Sequence, residues 1–272
     1  MSGFSAAWLA LREPYDVAAR NQAVLEAVAG AFRGQPSIAI VDLACGTGST
    51  LRAIGRHLPL RQSWRMIDND LGLLARASTL GRPPDVKVVT RPIDLTRDLE
   101  LALEAPLDLV TVSALLDLVS LEWLERLAIE TAARRLPVYA ALIYDGRAVL
   151  DPGDVLDQDT LAAFHAQLRT DKGFGPALGT QAPARAVERF EQVGYTVMQG
   201  RSDWVLRAAD SALQEALFAG WAEPANAPTM RAARASERVC AWLGRRRSHL
   251  AAGRSSLRVG HVDIFARPMG AR

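Results

Sequence analysis

Residues 40–50 read IVDLACGTGST. An apolar run ends at Asp42, and six small residues follow, Ala44, Cys45, Gly46, Thr47, Gly48 and Ser49. Side-chain volume returns only at Leu51. Small residues placed just after a buried strand let another molecule approach the backbone closely. STLRAIGRHL (49–58) reads as a helix whose start falls inside this small-residue run. A helix N-terminus offers unpaired N–H groups and a partial positive charge, so the turn is a ready ligand cradle.

Outward from the turn, strand and helix patterns alternate. SIAIVDLA (37–44), SWRMID (63–68), DVKVVT (85–90), LDLVTVS (107–113) and PVYAALIY (137–144) are short apolar runs rich in β-branched residues. Helical spacing appears at 49–58, 70–79 and 121–135. Strands apolar on both faces between helices predict a parallel sheet covered on both sides. Residues 5–33 predict a helical extension that Pro14 divides in two. Residues 145–182 are rich in Asp, Gly and Pro, with one helix near 157–169. Helices are expected near 183–193, 208–221 and 228–247, and strands within 195–207 and 256–268. The domain reading is a single domain, 1–272. It comprises an extension (1–36), a core (37–207 and 256–268) and a helical insertion (208–255).

Two cofactor classes use such a turn on a doubly wound sheet, dinucleotides and S-adenosylmethionine. A dinucleotide site expects G-x-G-x-x-G, but position 51 is Leu, so the third glycine is missing. An acid at the strand end, Asp42, would face a pyrophosphate badly and suits a cationic ligand. VDLACGTG resembles motif I of class I SAM-dependent methyltransferases, D-x-G-x-G-x-G, with Asp42, Gly46 and Gly48 on the motif positions and Ala44 replacing the first glycine. The likeness covers the order of elements from about 37 to 144 and the last two strands. It implies an α/β fold with a seven-stranded, mostly parallel doubly wound sheet and an antiparallel last strand, HVDIFA. It implies Asp68 on the ribose hydroxyls, Asp94 on the adenine amino group and Ser113 on the methionine side of the cofactor. The expected reaction is transfer of the SAM methyl group to a small molecule, giving S-adenosylhomocysteine.

Bland readings stand beside these. Asp70 caps the helix after the second strand, Asp94 also reads as a cap before Thr96, and Cys45 is a turn filler. Acceptor chemistry falls to loops at the carboxyl ends of the strands. Asp117, Asp145 and His165 are the acids and bases there, and residues 145–182 are long enough to form a lid over an enclosed pocket. Tyr15 and Asp16 resemble a helix that covers the cofactor, or they belong to amphipathic packing.

Charge is nearly balanced, +2 over 272 residues, which argues against a dedicated nucleic-acid protein. The insertion and the strand after it carry Arg231, Arg234, Arg238, Arg245, Arg246, Arg247, Arg254 and Arg258. RNA or protein methylation with these arginines as a docking face is the alternative function. A SAM binder without transfer activity and an NAD(P)-dependent oxidoreductase are further ones. Two cysteines suggest no disulfide framework and no metal site. The absence of a signal-like start or a span of about 20 apolar residues points to a soluble cytoplasmic monomer or homodimer.

Overall fold

The computed structural model describes residues 4–79, 81, 83–223 and 230–270, without the side chains of 230–236. The helices are α1 (Ala6–Ala19), α2 (Gln22–Ala31), α3 (Ser49–Ile54), α4 (Leu71–Ser78), α5 (Leu99–Ala102), α6 (Leu121–Ala133), α7 (Asp157–Leu168), α8 (Ala182–Gln192), α9 (Ser211–Ala222) and α10 (Met230–Ala251). The strands are β1 (Ser37–Leu43), β2 (Arg61–Asp68), β3 (Val86–Pro92), β4 (Leu109–Ser113), β5 (Val138–Asp151), β6 (Tyr195–Arg201), β7 (Trp204–Leu206) and β8 (Ser256–Pro268).

The sheet runs β3-β2-β1-β4-β5-β8-β6, and β7 pairs β8 beyond β6. Pairing is parallel from β3 to β5, and β8 lies antiparallel to β5, β6 and β7. Successive β1 residues enter opposite layers, as the pleat requires. Val41 and Leu43 pack with Val110, Val112, Leu124 and Phe190. Ile38 and Ile40 pack with Val24, Val28, Trp64 and Met66. Both faces are therefore sealed, leaving the strand ends for ligands.

Two expectations are corrected. Pro14 lies inside α1 and does not divide it. The break comes at Arg20, whose ψ of 128° leaves the helical region, and at Asn21, whose side chain accepts from Val24 N–H at 3.0 Å to start α2. A local cap decides the boundary, and α1 tolerates the one amide lost to Pro14.

The second correction concerns 145–151, which is strand and not loop. β5 runs past two register shifts and pairs as far as Asp151 with Ser256. Lys172 Nζ binds Gln167 C=O (3.0 Å) and Thr170 Oγ1 (2.9 Å), and Phe174 packs edge-on to Trp123. Pairing with β8 along one edge fixes residues 148–151 in a way that the segment's Asp, Gly and Pro content concealed. The far ends of β5, β7 and β8 share a third apolar cluster with α7, α9 and α10, built on Tyr144, Leu161, Trp204, Leu213, Phe218, Trp221 and Trp242.

α10 is fastened by its own arginines. Arg246 is fully buried, its guanidinium 5.8 Å from the ring centroids of both Phe218 and Trp242, and paired with Asp157. Arg245 holds Asp154, whose carboxyl that pair pulls down to about 2. Arg238, Arg247 and Arg258 pair with Asp159, Glu215 and Asp203. Arg254 is exposed, and the side chains of Arg231 and Arg234 lie outside the described residues. The run read as a docking face is largely spent within the chain.

Candidate active site at the strand ends

The β1–α3 turn takes a left-handed path, with φ of 52° at Ala44, 54° at Gly46 and 80° at Gly48. Glycine adopts these angles freely, whereas Ala44 carries a strain of about 1 kcal/mol. The turn is stitched to β2. Cys45 N–H donates to Ile67 C=O (2.9 Å) and Gly46 N–H to Asp68 Oδ2 (2.9 Å). Asp68 Oδ1 accepts from Asp70 N–H at 3.0 Å. Both oxygens keep a lone pair for vicinal hydroxyls. Asp70 is the helix cap the sequence suggested, accepting from Gly72 and Leu73 N–H. The Cys45 thiol is buried and its pKa is raised, first by that burial, as befits a filler.

Asp42 is fully buried at the end of β1. Thr111 Oγ1 donates to its Oδ1 at 2.7 Å, while Oδ2 finds no hydrogen-bond partner among the described residues. Burial pushes the carboxyl up to about 7, against the lowering pull of the Thr111 and Thr50 hydroxyls and the Arg20 charge. An orphaned carboxylate oxygen here suits an ammonium group.

Asp94 takes both the N–H and the hydroxyl of Thr96 on Oδ1, which lowers its pKa. Asp94 thus closes a turn before Thr96 and caps no helix, since α5 begins later, at Leu99 behind Asp98. Oδ2 carries none of these bonds, so the adenine-side reading remains compatible.

Sequence reasoning missed Arg20. At the end of α1 it is buried, yet Nη2 reaches Ser113 Oγ at 2.9 Å and Nη1 the Tyr139 hydroxyl at 3.4 Å. Its Nε has no hydrogen-bond partner among the described residues. A buried guanidinium bonded only to neutral hydroxyls can take a ligand carboxylate. One more arginine in an arginine-rich chain gave no signal; the position just before a helix cap was the available hint.

α1 crosses the mouth of this site. Leu9 Cδ1 lies 3.1 Å from the point a Gly46 Cβ would occupy. Glu13 pairs with Arg52 of α3, and Arg52 Nη1 also binds Thr47 C=O at 2.7 Å. Tyr15 and Asp16 serve as anchors. The Tyr15 hydroxyl donates to Asp210 at 2.9 Å, and Asp16 receives the Arg12 fork and Trp204 Nε1. The packing reading of these two residues prevails, although α1 itself covers the turn.

Of the three acceptor-side candidates, the structure gathers two. Asp117 is buried, accepts from the Tyr144 backbone and is raised by burial to about 6. His165 Nε2 lies 2.8 Å from the Tyr144 hydroxyl, and burial lowers its pKa. Asp145 is turned to Arg147, binding its N–H (2.9 Å) and Nε (2.6 Å), with Asp203 closing the pair from the other side. Asp145 shapes a turn and is not available as a base. His261 was also missed. It is buried on β8 against Trp204 at 4.7 Å, its Nδ1 unbonded among the described residues, and burial pushes it down to about 3.

No family model and no curated protein matches the chain. Solved structures do. A cyclopropane-fatty-acyl-phospholipid synthase-like protein from Lactobacillus casei ATCC 334 superposes with a TM-score of 0.55 at 16% identity, over 97% of this chain and 94% of that one. The cyclopropane synthase MmaA2 from Mycobacterium tuberculosis gives 0.49 at 12% identity, over 97% and 95%. A SAM-dependent methyltransferase from Geobacter sulfurreducens in complex with S-adenosyl-L-homocysteine gives 0.45 at 16%, over 98% and 100%. At 16% identity the likeness to the Lactobacillus casei protein speaks for the fold alone, and the sheet order with an antiparallel β8 matches the class I methyltransferase fold.

Proposed function

We propose that this chain is a SAM-dependent methyltransferase acting on a small molecule. The observation that carries the reading is the set of open valences around one turn. Asp42 Oδ2 and Arg20 Nε are both buried and unbonded among the described residues, beside a left-handed glycine turn tied to Asp68. Those groups match the ammonium, the carboxylate and the ribose of S-adenosylmethionine, and Asp94 Oδ2 suits the adenine amino group. Asp42 and Arg20 then orient the methionine end, Asp68 fixes the ribose, and Leu9 and the Glu13–Arg52 pair keep α1 over the turn to exclude water. When bound, the cofactor supplies a methyl group already activated on a sulfonium.

A small acceptor is favoured because α1 covers the turn and the arginines of α10 are largely paired. Among the described residues no helix is long and apolar enough to cross a membrane, in keeping with a cytoplasmic enzyme that works on a dissolved metabolite. The test is to incubate the protein with SAM and a metabolite extract cleared of macromolecules, and to follow S-adenosylhomocysteine. Release that is insensitive to salt supports the reading. Release only with added RNA or protein, falling steeply as salt rises, moves it to a macromolecular acceptor. SAM binding without release marks a binder.

A further inference from the structure

Rings from four elements meet at the far side of α1. Tyr144 on β5 and His165 on α7 are hydrogen-bonded at 2.8 Å. Phe164 packs at 6.2 Å from Tyr144 and 6.3 Å from Trp221 of α9. His261 of β8 lies 5.9 Å from Tyr144. Formal charges nearby are mostly closed into pairs, Arg12 on Asp16 and Arg147 on Asp145 and Asp203. His165, His261 and Asp117 make no metal site, since no group of three such ligands with metal-binding geometry exists among the described residues.

The cluster adjoins the glycine turn through α1. Leu9 lies over Gly46, its Cδ1 3.1 Å from the point a Cβ there would occupy, while Arg12 acts electrostatically on both Asp117 and His261. Three residues along a helix advance about 4.5 Å, so the residues of α1 that face the turn and the cluster lie within one turn of each other.

Building on the methyl-transfer reading, we infer that Tyr144 and His165 form a proton relay for a small aromatic acceptor with a neutral hydroxyl, which is methylated on oxygen. The aromatic walls suit a planar ring, and the paired charges leave an uncharged hydrogen-bonding couple to meet the hydroxyl. The acceptor oxygen forms the bond to the methyl carbon, and the carbon–sulfur electron pair stays on sulfur. The acceptor proton passes to Tyr144 Oη while the proton of Tyr144 passes to His165 Nε2. The imidazolium then releases it to water. Tyr144 acts as a relay because burial keeps its hydroxyl protonated. His165 acts as the base because burial and Arg169 keep it neutral near pH 7. Besides Arg169 at the C-cap of α7, the ionisable groups around the couple are Asp117, Asp145, His261 and Arg12.

The experiment measures S-adenosylhomocysteine release from 4-methylphenol, 4-nitrophenol, 4-methylaniline and thiophenol, with SAM affinity checked by calorimetry. For 4-methylphenol, Tyr144→Phe and His165→Gln should keep SAM affinity and lose at least about 100-fold in kcat/KM. For 4-nitrophenol at pH 8, where the acceptor is already largely ionised, they should lose less than about tenfold. The wild-type profile with 4-methylphenol should fall on the acid side as His165 protonates, below its usual range. By NMR, adding 4-methylphenol to the S-adenosylhomocysteine complex should shift the His165 ring signals in the wild type. Turnover of the amine or thiol without the phenols overturns the relay, as do variants as active as the wild type on 4-methylphenol or His165 signals that do not move. Absence of SAM binding in the calorimetry removes the methyl-transfer reading itself, and the relay with it.

Discussion

Replacing Asp42 by Asn should strengthen the fold at alkaline pH while weakening cofactor binding. Asp42 is fully buried, and burial moves its carboxyl from 3.8 to about 7. The folded state thus holds a proton that the unfolded chain has released. Between those two pH values stability falls as pH rises, because the folded state binds more protons. At about 1.36 kcal/mol per unit, the wild type gives up about 4 kcal/mol through this one group between pH 4 and pH 8. Asn cannot ionise and escapes that loss. Its amide places an N–H₂ near the unbonded Oδ2 position, which costs about 1–3 kcal/mol. The two curves should cross. Asp42→Asn should be the less stable protein at pH 4.5 and the more stable by about 1–3 kcal/mol at pH 8. Urea unfolding at the two pH values reads this directly, and other titrating groups cancel in the difference. Calorimetry at pH 8 should show SAM binding weakened at least about tenfold, the worth of one charge-assisted hydrogen bond. Parallel stability curves would refute the buried, shifted carboxyl, and unchanged SAM affinity would refute its role toward the ammonium group.

Asp68→Ala should abolish most SAM binding in calorimetry. It should also cost about 1–3 kcal/mol in urea unfolding, because the Gly46 and Asp70 N–H groups lose their acceptor. Gly48→Val puts a β-branched residue at φ 80° and should remove the thermal protection that SAM gives; a folded variant that SAM still protects would contradict the open-backbone argument. Arg20→Met should fold and lose at least about tenfold in SAM affinity, read by calorimetry. Arg246→Ala leaves Asp157 and the Pro152 carbonyl without their buried partner and should cost about 3–5 kcal/mol in denaturant unfolding.

The sheet was legible because its determinants are local. β1 to β5 are short apolar runs between helices, and their periodicity needs no tertiary knowledge. The strand end at Asp42, the turn at Gly46 and Gly48 and the strand end at Asp68 were legible because strand, turn and helix start follow one another in the chain. Arg20, Tyr144 and His261 were not, since each gains its meaning from partners far away in sequence: Ser113 and Tyr139, His165, and Trp204. The extension of β5 was hidden for the same reason. Residues 145–151 look like a loop and become strand only because β8 pairs with them. Pro14 misled because one lost amide weighs less than the cap at Asn21. The arginines of α10 read as a docking face because their spacing alone does not show the aspartates that α7 and the segment before it bring to Arg238, Arg245 and Arg246.

The most direct test of the central claim is titration calorimetry of the purified protein with SAM, S-adenosylhomocysteine and NAD side by side. The account predicts micromolar binding of the first two and no heat from NAD. Binding of NAD alone would contradict it, and would mean that the unbonded oxygen of Asp42 and the leucine at position 51 had been read for the wrong cofactor.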